Sequence, residues 1–258
     1  MGKIIAIANQ KGGVGKTTTA VNLSAGMAIL GKKVLLVDFD AQGNASQGIG
    51  ANKVGYDYNV YDVLVRGVNI HDALVHLDAL NMDVLPATID LAGAEVDMAQ
   101  YEVGRERLLK NQLDKVKDEY DFIIIDCPPS LGSLNTNALT AADSVIIPVQ
   151  CQYYALEGLT QLLSTIRMVQ KLWNPGLSIE GVLLTMFDAR TNLSVDVQQE
   201  VRKYFKEKAY KSFIPTNIKL AEAPSRELPI FLYEVKSEGA KAYAEFAQEV
   251  IDKNEKRK

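Results

Sequence analysis

The sequence is poor in the residues that staple, span or divide a chain. Its two cysteines, Cys127 and Cys151, stand at no metal-ligand spacing, which excludes a disulfide scaffold and fits a reducing compartment. No stretch approaches the roughly 18 apolar residues of a transmembrane helix. The opening Met-Gly-Lys-Ile-Ile-Ala-Ile-Ala carries one lysine and an apolar run of only Ile4–Ala8, too short for a secretory leader. The expectation is a cytoplasmic protein. Histidine is confined to His71 and His76, off one helical face and without a third ligand, so both read as surface residues. The lone Trp173 precedes the turn Asn174-Pro175-Gly176 and reads as a packing anchor rather than a stacking platform. Internal repeats, low-complexity tracts and Pro/Ser linkers are missing, so residues 1–258 are expected to form one domain with a frayed 253–258 tail. A chain of 258 residues buries about three quarters of its unfolded surface and needs no metal or disulfide to fold.

What is present is ordinary in bulk and uneven in detail. The 47% hydrophobic and 23% charged fractions exclude disorder and collagen-like structure. The net charge of −4 argues against a protein built wholly to hold nucleic acid. Residues 1–189 carry 14 basic against 21 acidic side chains, whereas residues 190–258 carry 14 against 11. Within 202–219, Arg202, Lys203, Lys206, Lys208, Lys211 and Lys219 are opposed only by Glu207. Such a local excess attracts phosphate over about 8 Å at physiological salt, although a solvated helix face gives the same composition.

Apolar runs alternate with helical patterns. Ile4–Ala8, Val34–Val37, Val84–Leu85, Phe122–Ile125, Val145–Val149 and Val182–Leu184 read as strands. Their near-continuous Val/Ile/Leu content suits a parallel sheet covered on both faces. Helices are expected at about 17–30, 105–118, 134–141, 156–171, 194–208 and 238–253, the last with Tyr243, Phe246, Ala247, Val250 and Ile251 on one stripe. The alternation predicts a doubly wound, mostly parallel α/β sheet with helices on both faces. Residues 41–80 read as surface loops and short helices.

The informative segment is Gln10-Lys11-Gly12-Gly13-Val14-Gly15-Lys16-Thr17-Thr18, directly after the first strand. Glycines let the backbone turn tightly and aim its N–H groups inward at phosphate, and the helix that follows adds its positive end. Lys16 is expected to reach the β- and γ-phosphates and the Thr17 hydroxyl to ligate Mg²⁺. Gln10 stands where the strict G-x-x-x-x-G-K-[ST] pattern has its first glycine. The loop works through backbone groups and the Gly15-Lys16-Thr17 end is intact, so a P-loop is still expected. Asp126 ends the strand Phe122–Ile125, where a carboxylate holds Mg²⁺ as in a Walker B strand. Asp38 and Asp40 end the second strand. Asp38 suits the metal or a hydrogen bond, and Asp40 suits orientation of an attacking water.

Several segments together resemble the ParA/Soj family of chromosome-partitioning ATPases. They are Lys11-Gly-Gly-Val-Gly-Lys-Thr17 with its extra lysine, Val37-Asp-Phe-Asp-Ala-Gln-Gly-Asn44 and Ile125-Asp-Cys-Pro-Pro-Ser130, followed by Ile147–Leu159 and Leu220-Ala-Glu-Ala-Pro-Ser225. The resemblance implies a deviant P-loop ATPase that forms a sandwich dimer around ATP and Mg²⁺. Lys11 would reach the partner's nucleotide and neutralise charge in the transition state. Gly12 would lie where the facing loops meet, and Pro215 and Asn217 near the adenine. Asp40 would match a position needed for hydrolysis and Asp126 the Walker B carboxylate. It also implies non-specific DNA binding by the dimer, with Arg190 and Lys219 at the matching basic positions. A ParB-type partner would stimulate hydrolysis, and the protein would associate with the nucleoid. Ala41, Gln152 and Thr216 replace a frequent proline, glutamate and arginine. The chain starts close to its first strand, so no helix-turn-helix is expected before it.

Three other nucleotide-dependent readings share the loop. A membrane-positioning relative of the MinD type needs a lipid-seeking C-terminal helix, and the apolar stripe here stops at Ile251 with no stable membrane association expected. An electron-transfer protein like the nitrogenase iron protein needs cluster thiolates. A GTPase would use Thr185-Met-Phe-Asp188, where Met186 stands in place of the guanine-motif lysine. A protein that binds nucleotide and hardly turns it over also fits the loop.

Overall fold

The computed structural model describes residues 2–101, 103–152 and 157–256. Tyr153 to Leu156, in the middle of one motif quoted above, lie outside them. Eight strands form one sheet: β1 (Lys3–Ile7), β2 (Val34–Asp38), β3 (Val75–Leu77), β4 (Met82–Leu85), β5 (Phe122–Asp126), β6 (Ser144–Gln150), β7 (Ser178–Phe187) and β8 (Ala209–Pro215). Their spatial order is β3-β4-β2-β5-β1-β6-β7-β8. Every pair is parallel except β3–β4. This is the expected doubly wound sheet. The first strand is central, flanked by β5 and β6, so the loop that follows it opens at the C-terminal edge of the sheet.

The strands are apolar throughout because both faces are covered. In β1, Ile4 and Ala6 enter one core while Ile5 and Ile7 enter the other. In β5, Ile123 and Ile125 share the first core, and Phe122 and Ile124 the second. The second core is roofed by helix α1 (Lys16–Ile29) and the long C-terminal helix Glu238–Glu255. Tyr243, Phe246, Ala247, Val250 and Ile251 are all buried there, so the C-terminal apolar stripe is committed to the core. Gly26 makes the two helices' approach possible, since a Cβ there would come within 3.0 Å of Ala247.

Expected and observed elements differ in three places. Strands β3 and β8 escaped the apolar-run criterion because both lie at sheet edges and mix polar with apolar residues. The expected helix 105–118 is broken into a 3-10 turn at Arg105–Arg107, an α-helix at Leu108–Leu113 and a second 3-10 turn at Lys117–Glu119. The break has a cause: Lys117 turns its ammonium under the sheet to Asp143, at 3.0 Å from both carboxylate oxygens, and its carbonyl accepts the Gly2 N–H at 3.1 Å. Residues 41–80 hold short helices, including α2 (Asn44–Ile49), and one π-helical turn at Asp62–Arg66. Among the described residues no helix is long and apolar enough to cross a membrane.

Candidate active site

The loop from Asn9 to Gly15 is held from outside as well as shaped from within. Asn9 donates its side-chain amide to the Pro148 carbonyl at 2.7 Å and accepts the Lys11 N–H at 3.0 Å. The Thr185 hydroxyl, from the end of β7, donates to the Val14 carbonyl at 2.8 Å. Gly13 and Gly15 adopt φ of +73° and +85°, left-handed conformations that a side chain disfavours. Gly12 is different: a Cβ there would meet nothing within 4 Å.

Lys16 begins α1 and is 7% exposed. Its ammonium donates to the Lys11 carbonyl at 3.2 Å, across the loop. Burial pushes the Lys16 amine below its ordinary range, against the pull of Asp126. Thr17 and Thr18 border a cleft of about 380 Å³ between α1, α2 and the segment 223–228.

Parallel pairing brings the carboxylates together. Asp38 and Asp126 are register partners at the ends of β2 and β5, and Ile7 is the neighbour of Asp126 on β1. Both aspartates are fully buried. Asp38 accepts the Ser46 N–H and hydroxyl, each at 2.7 Å, and the Asp40 N–H at 3.2 Å. Burial nevertheless pushes its pKa up to about 6. Neither oxygen of Asp126 has a hydrogen-bond partner among the described residues. The Thr17 hydroxyl lies near enough to favour its ionised form without reaching hydrogen-bonding geometry. Burial first, then the charge of Asp38, raises the Asp126 carboxyl well above its ordinary range. A buried, unpaired carboxylate beside a threonine hydroxyl is a poor structural device and a good cation ligand. The donor set of Thr17 and Asp126, with Asp38 behind, fits Mg²⁺. Asp40 sits at the rim of this group, its carboxylate accepting the Gln42 N–H at 3.0 Å.

The other expected residues lie around the loop. The Lys11 ammonium donates to the Gln152 side-chain oxygen at 3.0 Å. Pro215 ends β8, and Asn217 caps the short helix Ile218–Glu222 by accepting the Leu220 N–H at 3.3 Å. Arg190 is exposed and Lys219 half-buried, and each is ion-paired within the chain, to Asp188 and Glu222 at 2.8 Å. Ser46, Asn9 and Thr185 escaped the sequence reading as supports of the site. Their contacts span 8 to 171 positions, so no local motif marks them. Met186 beside Thr185 holds φ of +51°, a strained conformation that flags the same loop.

Two readings weaken at this point. Cys127 and Cys151 are both buried, and burial raises both thiols, Cys151 to about 11. That environment suits neutral core thiols rather than cluster ligands. The Asp188 carboxylate is occupied by Arg190, which does not suit guanine recognition. His71 and His76 are exposed, as expected, each beside a carboxylate, and Trp173 packs against the core.

The AAA_31 family, described as an AAA domain, matches residues 2–179. The sporulation initiation inhibitor protein Soj of Bacillus subtilis (strain 168) is 59% identical over 97% of this chain and 98% of its own length. The chromosome-partitioning ATPase Soj of Treponema pallidum (strain Nichols) is 49% identical over 100% of both chains. A solved structure of cobyrinic acid a,c-diamide synthase from Mycobacterium smegmatis with bound ADP and magnesium is 39% identical, with a TM-score of 0.81, covering 100% of this chain and 97% of that one.

Proposed function

The chain belongs to the Soj/ParA family of chromosome-partitioning proteins, and from that premise we propose that it is a Mg²⁺-dependent ATPase acting as a partitioning switch. Its ATP-bound form dimerises, holds DNA without sequence preference, and lets go when hydrolysis is stimulated by a ParB-type partner. The observation that carries the catalytic half is Asp126, a fully buried carboxylate with neither oxygen hydrogen-bonded, beside Lys16 and Thr17 at the mouth of the P-loop.

Backbone N–H groups of Gly13 to Thr17 receive the phosphates, and Lys16 exchanges its Lys11 carbonyl contact for phosphate oxygens. Thr17 and Asp126 would hold Mg²⁺, with Asp38 positioned by Ser46 behind them. Mg²⁺ neutralises charge on the β- and γ-phosphates when bound. Asp40 orients the attacking water. Pro215 and Asn217 line the adenine side, and the Asn217 amide nitrogen remains available to the base while its oxygen caps a helix.

Two observations support the dimer. The Lys11 ammonium rests on the neutral oxygen of Gln152, at an exposed position, and a Cβ at Gly12 would meet nothing within 4 Å, which leaves room for a partner's loop. DNA contact is assigned to Arg190 and Lys219, whose cations suit phosphate without base readout. The synthase name of the solved structure describes that protein; nothing at this site favours an amidation here.

The deciding experiment is DNA retention with ATP, ADP and no nucleotide, at low and moderate salt. Retention confined to ATP, by a dimer, and weakening with salt is the expected result. Absence of DNA binding in every state would leave an ATPase and remove the nucleoid from its cycle.

A further inference from the structure

The two cations assigned to DNA are not free in this fold, and both are held by acids of the same chain. Arg190 donates from Nε at 2.9 Å and from Nη2 at 2.8 Å to the two carboxylate oxygens of Asp188, a fork-to-fork pairing. The Asp188 carboxylate also accepts the Arg190 N–H at 3.0 Å. Lys219 donates to Glu222 Oε2 at 2.8 Å, and the Tyr233 hydroxyl donates to the same oxygen at 2.8 Å. The Lys219 ammonium also lies over the Tyr233 ring, 5.7 Å from its centroid. In each case the acid occupies the face of the cation that a DNA phosphate needs.

The two pairs hang on loops that are tied together and to the phosphate site. Asp188 and Arg190 follow β7, whose Thr185 holds the P-loop through the Val14 carbonyl at 2.8 Å. Lys219 and Glu222 follow β8. The Thr216 N–H donates to the Phe187 carbonyl at 3.3 Å, and the Phe187 and Phe213 rings meet at 4.5 Å between centroids. In the function proposed above the loop after β8 lines the base side of the nucleotide, and its Thr216–Phe187 hydrogen bond passes a change there to the loop after β7, so filling that side acts on both pairs.

Resting on that reading, we propose that Asp188 and Glu222 are acidic latches that mask Arg190 and Lys219 until nucleotide-driven assembly releases them to DNA. Each carboxylate competes with phosphate for one cation and repels the duplex by its own charge. The latches hold throughout the physiological pH range, because pairing lowers the Glu222 carboxyl and holds that of Asp188 down to about 2. They are only half-buried, so solvent and salt screen the competition and keep it weak. A tighter clasp would prevent release.

The test measures nucleotide-free binding of a fluorescein-labelled mixed-sequence duplex by anisotropy, for Asp188→Asn, Glu222→Gln and the double variant. Asp72→Asn, an exposed neutralisation at the far edge of the sheet, controls for net charge alone. Each latch variant should bind about threefold tighter than the parent without nucleotide, the double variant about tenfold, and the control should not change. Asparagine at 188 keeps the oxygen that accepts the Arg190 N–H, so the loop is preserved. Tyr233→Phe loosens Glu222 without changing charge and should raise nucleotide-free binding in the same direction. If either latch variant fails to rise above the control while the parent binds DNA with ATP, the latch is wrong and the switch stands. If the parent binds no DNA even with ATP, the function proposed above fails and the latch with it.

Discussion

Strand β1 runs between two acidic groups that solve opposite problems. At its start, Asp143 accepts the Ile4 N–H at 2.8 Å and both oxygens take the Lys117 ammonium at 3.0 Å. Beside its end, Asp126 is fully buried and unpaired. The sheet and the apolar neighbours are shared, but one end is satisfied and the other is left short of partners. A fold that can complete the network at one edge of a strand has no structural reason to leave it incomplete at the other. The deficit at the C-terminal edge is what the proposed Mg²⁺ site would fill, because a cation supplies the charge that Asp126 lacks beside it.

The satisfied end should break hardest. Asp143→Ala strands the Lys117 side chain, 11% exposed, and an inward-facing backbone N–H. Leaving the backbone N–H and the ammonium without their acceptor, in a pair partly screened by solvent, costs about 1–3 kcal/mol, so the urea midpoint should drop clearly while nucleotide affinity of the folded fraction stays. An unchanged midpoint would mean that the pair is only decorative. The unsatisfied end should show the converse. Lys16→Ala should lower ATP affinity by about a hundredfold, through loss of charged contacts to phosphate, with little loss of stability. Parent-like affinity in titration calorimetry would end the P-loop assignment.

Asp126→Asn sharpens the contrast further, because it should stabilise the nucleotide-free protein. Exchanging an unpaired buried carboxylate for a neutral amide should gain about 1–2 kcal/mol while abolishing hydrolysis. The pH dependence follows from the same deficit. Asp38 has its folded pKa raised to about 6, and Asp126 is raised as well. Between an unfolded value of about 4 and the folded one, the native state binds more protons than the unfolded state. Stability of the nucleotide-free protein should therefore fall as pH rises from about 4 through 6. Asp38→Asn and Asp126→Asn should each flatten that slope; a parent-like slope in both would place the titration elsewhere.

What was legible in the sequence divides along the same line. The P-loop, Asp38 and Asp126 were readable because a contiguous glycine-rich loop and the residue ending an apolar run are local signals. Strand β8 was not, because Ala-Tyr-Lys-Ser-Phe-Ile-Pro carries no continuous apolar run. Two of its N–H groups, on Lys211 and Ser212, are taken by Glu249 at 2.8 and 2.9 Å from across the second core. The broken helix at 105–118 likewise owes its break to Asp143, far along the chain. The supports of the site, Ser46, Asn9 and Thr185, are ordinary residues whose meaning comes only from strand order. Arg190 and Lys219 were located by resemblance, but their acidic partners, two and three residues away, became visible only as geometry.

Lys11 supplies the smallest expected effect and tests where the contrast ends. Its ammonium is held 3.0 Å from the oxygen of Gln152, a neutral acceptor that binds a cation less firmly than a carboxylate does. In the proposed cycle Lys11 must leave this contact to serve the partner's nucleotide, so the resting place should be easy to vacate. Gln152→Glu converts the contact into an exposed ion pair, worth a fraction of a kcal/mol and screened by salt. Turnover at low salt should fall about two- to threefold and return to the parent value when salt is raised. Gln152→Ala, which removes the acceptor, should not slow it. Equal low-salt turnover in the parent and Gln152→Glu would mean that releasing Lys11 is no part of the barrier, and that its position in the single chain reflects only an idle surface contact.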